Sequence, residues 1–219
     1  MMVKRLRIAW IVLLAGALAA CSPKREAAPA PAAVSPAAVP AVSVAPALPP
    51  PPATTRDPSL RQIGPEEGDA LLLERIGACR EMLPVEYRKR NNFAWAVAEI
   101  EGMDKTEFFA HSGIQSLDGL SSEEAQKIAG ISTKPGEGRF QTLCVNQLGA
   151  VGGADCWQRD VDTEFKILED IASRLPDPSA KGRIRLFTEL YPCPSCWNVM
   201  KQFLAVYTNI EMDVLYRTP

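Results

Sequence analysis

The sequence predicts an α/β domain in which helices pack on a mixed β-sheet, and three observations carry that prediction. Two stretches near the C-terminus place apolar residues at helical spacing: Leu168, Ile171, Ala172 and Leu175 in one, Met200, Phe203, Leu204 and Tyr207 in the other. Each is followed by a short strand-like run, Ile184 to Thr188 and Glu211 to Tyr216. Upstream, Phe93 to Ile100 and Thr106 to Ala110 flank the turn residues Gly102-Met103-Asp104 and read as a hairpin. The order is hairpin, helix, strand, helix, strand, the pattern of helices layered on a sheet around one core.

The elements follow in order along the chain. Leu71, Leu72, Ile76, Cys79 and Leu83 fall at near-helical spacing, so residues 66–83 read as a helix that Pro84 ends. The basic patch Arg88-Lys89-Arg90 leads to Asn91-Asn92 and the hairpin. Ser121-Ser122 followed by Glu123-Glu124 is a helix N-terminal signal for residues 121–129. A Gly/Pro loop over 133–139 precedes a short strand over 140–145, and Gly149 to Asp155 is a further loop. The helix over 163–175 stops at Pro176-Asp177-Pro178, and the second site-bearing helix runs from Cys193 to Tyr207.

Those two helices each carry unusual residues at their mouths. Cys193 and Cys196 are three apart, on the face continued by Met200, Phe203 and Leu204, so both sulfurs point inward. Extending the other apolar stripe back four residues from Leu168 lands on Glu164, which puts a carboxylate at the head of a buried face. An unpaired buried carboxylate is costly and must meet a proton, a donor or a cation, and two thiolates with a metal supply one. Helix N-termini favour thiolate and carboxylate, and both helices follow strands or loops that would bring those ends to one edge of the sheet.

Asp162-Thr163-Glu164 followed by Pro192-Cys193-Pro194-Ser195-Cys196 resembles the motif pair of the zinc-dependent nucleobase deaminases. With Phe165 to Leu168, Leu186 to Glu189 and Val199 to Phe203, the likeness is to a branch of bacterial polymorphic-toxin deaminases in which Asp stands where the superfamily has a His ligand. It spans about Asn91 to the C-terminus. The resemblance implies a cytidine deaminase-like three-layer core, Zn²⁺ held by Asp162, Cys193 and Cys196, and Glu164 as the catalytic proton shuttle. It also implies cytosine in single-stranded nucleic acid as substrate, with free nucleosides open, and an immunity protein as partner. Carboxylate oxygen is an acceptable zinc ligand at roughly 2.0–2.2 Å, though it leaves less net positive charge at the metal than histidine does.

His111 is the single histidine in 219 residues. A lone histidine is as readily a satisfied core or surface residue, but its place at a strand end puts it, with Ser112, at the rim of a pocket, where contact with substrate is a better expectation than ligation.

The rest of the chain is compositionally distinct. A basic start, Met1 to Arg7, an apolar run from Ile8 to Ala20 and Leu18-Ala19-Ala20 before Cys21 read as a secretory signal. The run is shorter than the roughly 20 residues a spanning helix needs. A cysteine after the small pair resembles the bacterial lipobox and implies lipidation of Cys21, with Ser22 matching the outer-membrane sorting pattern. Residues 21–57, rich in Ala and Pro, form a semi-rigid spacer lifting a domain over 58–219 off the membrane. That domain carries 18 basic and 24 acidic side chains, a net charge of −6 that argues against a sequence-independent nucleic-acid binder. Lys181, Arg183, Arg185 and Lys201 are the candidates for a local basic stripe. Cys144 and Cys156 flank a Gly-Gly loop and are either a disulfide or two buried thiols.

Two rival functions compete. Ile184 to Phe187, Cys-Pro-Ser-Cys, a helix and a strand resemble the start of a thioredoxin-like oxidoreductase using Cys193 and Cys196, but that fold needs further strands and leaves Glu164 unexplained. A structural zinc site or catalytically inactive remnant in an envelope lipoprotein is the other. Three ligands, rather than the four of a closed structural site, speak for catalysis. Paired glycosidase carboxylates, a Ser/His/Asp triad and phosphate-binding Gly loops find no support at motif spacing.

Overall fold

The computed structural model describes residues 56–64 and 67–218. Among them, β1 (Ser59–Gln62), β2 (Phe93–Ile100), β3 (Glu107–His111), β6 (Gly182–Leu190) and β7 (Ile210–Thr218) form one sheet in the order β1-β7-β6-β2-β3. β2 runs antiparallel to β3 and β6, while β1, β7 and β6 are mutually parallel, so the sheet is mixed as expected. β4 (Cys144–Val145) and β5 (Trp157–Gln158) make a small separate ribbon. The expected signal peptide, Cys21 and nearly all of the expected spacer lie outside the described residues. Among the described residues no helix is long and apolar enough to cross a membrane.

Two apolar layers flank the sheet. On one face α3 (Thr163–Arg174) and α4 (Pro194–Val206) bury Leu168, Ile171, Val199, Met200 and Phe203 against Ala94, Ala96, Ala98, Ile184 and Val214. On the other, α1 (Glu67–Glu81) and the segment after it set Ile76, Cys79 and Leu83 on Phe93, Trp95, Phe109 and Phe187. The result is the three-layer α/β/α architecture expected of a deaminase-like core. The strands alternate faces with period two, which is why β2, reading Phe-Ala-Trp-Ala-Val-Ala, feeds large residues to one layer and alanines to the other.

Local chemistry accounts for the boundaries. α2 (Ser122–Lys127) starts with a capping box, in which the Ser121 hydroxyl accepts from the Glu124 N–H and the Glu124 carboxylate accepts from the Ser121 N–H. Pro194 occupies the first turn of α4, where its missing N–H costs nothing. Gly182 opens β6 because a Cβ there would collide with the Glu99 carbonyl of β2.

Several expectations need correction. Leu71 is 80% exposed, and the face of α1 that packs is Ile76 and Cys79, with Leu72 and Leu73 half-buried. Of the strand expected over 140–145 only Cys144 and Val145 pair. β1 has no counterpart in the sequence reading: four largely exposed residues join the outer edge of β7, tied there by Ser59 Oγ donating to Asp213 (2.6 Å) and by Arg61, which forks onto the buried Asp69 of α1 at 2.7 and 2.8 Å. Among the described residues the domain's contacts begin at Arg56, which donates to the Ile210 carbonyl, and Asp57, which pairs with Lys201 at 2.9 Å.

Candidate metal and deaminase site

Both site-bearing helices begin at the same edge of the sheet, at the C-terminal end of β6, and their first residues meet. Asp162 is the N-cap of α3, yet its carboxylate makes no capping bond. An aspartate at this position ordinarily accepts from the N–H of N2 or N3. Here Oδ2 instead lies 3.3 Å from the sulfurs of both Cys193 and Cys196, which are 3.2 Å apart. Cys193 is the N-cap of α4, and its sulfur accepts from the Cys196 N–H. The sulfurs are far beyond the roughly 2.05 Å of a disulfide.

Three electron-rich atoms gathered this closely, at two positive helix ends, fit a cation. A zinc ion needs ligands at roughly 2.0–2.3 Å and prefers sulfur with nitrogen or oxygen, a set these three residues provide. Among the described residues no fourth histidine, cysteine, aspartate or glutamate joins the cluster, so one position stays open. Without an ion the group is electrostatically poor: the Cys193 sulfur, burial and the nearby Glu164 and Asp162 charges push the Cys196 thiol well up.

Glu164 stands beside the triangle, 2% exposed at the head of α3. Burial, reinforced by the Asp162 charge, raises its carboxyl above the usual range, while Thr163 pulls the other way by donating to Oε2 at 2.7 Å. A chain of bonds fixes this arrangement. Asn92 Nδ2 donates to Thr163 Oγ1 (2.8 Å) and Thr188 Oγ1 (2.9 Å), its Oδ1 accepts from the Leu190 N–H, and its backbone N–H donates to Ser112 Oγ. One residue, through its side chain and its backbone N–H, thus ties the start of β2 to β6, α3 and the loop after β3.

The triangle and Glu164 line a cavity of about 270 Å³ together with Asn91, Asn92, Ser112, Arg159, Leu190 and Tyr191. A larger cavity of about 440 Å³ lies at the opposite end of the sheet, between the β2–β3 turn and the C-terminus of α3, but it holds no cluster of reactive side chains. The cluster of Asp162, Cys193 and Cys196 lies in the smaller one. Leu190 and Tyr191, each 53% exposed, stand at its rim among the polar residues; Tyr191 packs edge-on to Tyr216, and Arg159 stacks over Trp157 at 4.0 Å.

The residues named from sequence divide cleanly. Asp162, Glu164, Cys193 and Cys196 converge, and Ser112 reaches the cavity wall. His111 does not. As the last residue of β3 it shares the odd-numbered face with Phe109, so strand alternation points it to the α1 side, away from α3 and α4. It is fully buried, Nε2 donating to the Arg90 carbonyl at 2.9 Å and Nδ1 accepting from the Gly113 N–H at 3.1 Å. Burial holds its pKa down, so the ring is a neutral brace for the loop before β2. Of the basic stripe, Lys181, Arg183 and Arg185 are exposed at alternate positions leading along β6, where Glu211 and Asp213 hold Arg183, while Asp57 holds Lys201.

Cys144 and Cys156 form a disulfide, with Cα atoms 5.3 Å apart. The remaining thiol, Cys79, sits on the α1 face, where burial pushes it up to about 11. Sequence reasoning missed Asn92 and Arg159. For Arg159 a signal existed, since it precedes Asp162 by three residues in a turn where the Asp162 N–H donates to the Arg159 carbonyl at 3.3 Å.

A toxin-deaminase family, described as the BURPS668_1122 family of deaminases, has a sequence model that matches residues 77–218. The chain belongs to this family. The match covers α1 from Gly77 onward and every element of the site, and leaves β1 outside. No curated protein and no solved structure matches the chain. Membership makes the chain a deaminase of the toxin type, and the thioredoxin-like reading is not favoured.

Proposed function

We propose that the protein is a zinc-dependent hydrolytic deaminase acting on a nucleobase, cytosine in single-stranded nucleic acid. The observation that carries this reading is the meeting of Glu164 with the Asp162, Cys193 and Cys196 triangle at one wall of the 270 Å³ cavity. The three ligands hold zinc. When bound, the ion acidifies a water and makes it a nucleophile at neutral pH.

The chain's own residues perform the rest. Glu164 accepts the proton of the attacking water and passes it to the ring nitrogen and then to the departing amine, so that water and an amino-pyrimidine become a keto-pyrimidine and ammonia. Thr163 holds the carboxyl in place by donating to Oε2 at 2.7 Å. A carboxyl raised by burial is suited to both taking and giving. The cavity admits one base, and Tyr191 at its rim offers a ring for that base to stack on, a mode that suits an acidic domain better than capture of phosphate. Ser112 and the Asn91-Asn92 pair line the wall where the base edge would lie.

The sequence at the N-terminus extends the proposal: a signal peptide, lipid on Cys21 and a spacer present the domain from the outer membrane. A toxin of this kind requires an immunity partner in the producing cell.

The test is zinc content of the purified full chain, with ammonia release from single-stranded DNA, single-stranded RNA and free cytidine. The expected result is one zinc per chain and release from a single strand, reduced by about 10²–10⁴-fold in Glu164→Gln with zinc retained. A zinc-free chain, or a fully active Glu164→Gln variant, overturns the reading. Release from cytidine alone replaces the polymer by a nucleoside.

A further inference from the structure

The ligand set poses a charge problem that the structure answers. Two thiolates and a carboxylate bring three negative charges to a divalent ion, one more than a set with a neutral imidazole, and a more negative set acidifies water less. A nearby positive charge would offset the excess.

Arg159 is placed for that task. Its guanidinium Nη1 lies 3.9 Å from Asp162 Oδ1, the oxygen turned away from the sulfurs, and the side chains are only 17% and 15% exposed. The carboxylate is therefore shared, Oδ2 to the cysteines and Oδ1 to the arginine. The guanidinium is itself anchored: Nε donates to the Val145 carbonyl and Nη2 to the Asn146 carbonyl, each at 3.2 Å, and its plane stacks on Trp157. The acceptors belong to the ribbon that the Cys144–Cys156 disulfide closes, and the Arg159 N–H donates to Leu143 within it. Leu143 in turn donates to Ser195 of the Cys-Pro-Ser-Cys segment. Lys166, the other cation near Asp162, directs its amine to the His111 and Ile114 carbonyls instead.

We infer that Arg159 is the counter-ion of the metal-site carboxylate, a positioning residue that presents Asp162 to the ion and offsets the negative charge Asp162 brings in place of a neutral ligand. The inference rests on the zinc reading of the site. It makes Asp162 and Arg159 a matched pair, so that exchanging one without the other unbalances the centre.

The experiment uses the full chain carrying Arg159→Gln, Arg159→Lys, Asp162→His and the Arg159→Gln/Asp162→His pair, loaded with zinc for rates and with cobalt for visible spectra. The pH midpoint of the cobalt spectrum and that of the rate are read separately. Arg159→Gln is expected to move both midpoints up by about one pH unit, Asp162→His to move them down, and the pair to return close to the wild type. Arg159→Lys keeps the charge and, even if the ribbon loosens, keeps the midpoint. An unmoved midpoint in Arg159→Gln, or a raised KM as the only effect, overturns the inference and makes Arg159 a substrate contact. Should Arg159→Gln fail to fold, a raised midpoint in Arg159→Lys overturns it instead. Failure of the wild type to bind either metal defeats the zinc reading itself.

Discussion

The two faces of the sheet solve the same burial problem by opposite means. Toward α3 and α4, β2 offers Ala94, Ala96 and Ala98, with Ala110 beside them on β3, all fully buried. Toward α1 it offers Phe93 and Trp95, joined by Phe109 and Phe187. Small residues let two helices lie close to the strands, which brings the ends of α3 and α4 within a few ångströms of each other. The aromatic face needs only one main helix, supplemented by a polar clamp in which Arg75 forks onto Glu107 while Trp95 donates to the same carboxylate at 2.8 Å. Geometry for chemistry is therefore built on the thin side, and bulk for stability on the thick one.

That division can be broken from either side. Phe187→Ala, on the thick face, is expected to lower unfolding free energy by about 3–5 kcal/mol while the folded fraction keeps its kcat. Denaturant melts paired with active-site titration read both quantities, and a kcat that falls in step with stability would mean the faces are not independent. Ala96→Leu, on the thin face, should cost less, about 1–3 kcal/mol, yet reduce kcat and zinc content because it wedges the helices off the sheet. An inactive but stably folded variant supports the contrast, and an unaffected one removes it.

A more gradual effect concerns Lys166, fully buried in α3 with burial lowering its pKa to about 7. In the unfolded chain the amine keeps its proton up to about 10.5. Between those two values the unfolded state holds more protons, so stability should rise with pH there, by at most about 1.4 kcal/mol per pH unit, and the full penalty stands below the folded value. Denaturant midpoints from pH 7 to 9 should show this slope in the wild type and lose it in Lys166→Met. Parallel slopes would mean the amine is not desolvated as described.

Much of the thin side was legible in the sequence. The stripe from Glu164 through Leu168, Ile171 and Leu175 is buried as its spacing required, and both cysteines face inward. What was illegible depends on partners distant in the chain. β1 is short and polar, and only the edge of β7, more than 150 residues later, makes it a strand. Asn92 shows no pattern of its own, and its role comes from Thr163 and Thr188. His111 departs from expectation for a different reason: the end of β3 does lie near the cavity, but strand alternation turns this side chain to the α1 face.

β1 also separates two lengths that are easily confused, that of the catalytic unit and that of the folding unit. The family-matched region starts at residue 77, inside α1, and contains every reactive group. Without β1, however, the nine residues of β7 would form an open parallel edge with unpaired N–H and C=O groups, a template for another copy to add a strand. The stretch at the close of the spacer and just after it, Arg56 to Gln62, is thus a selvedge: it holds none of the reactive groups, and its short polar strand cuts down the open edge that β7 would otherwise present.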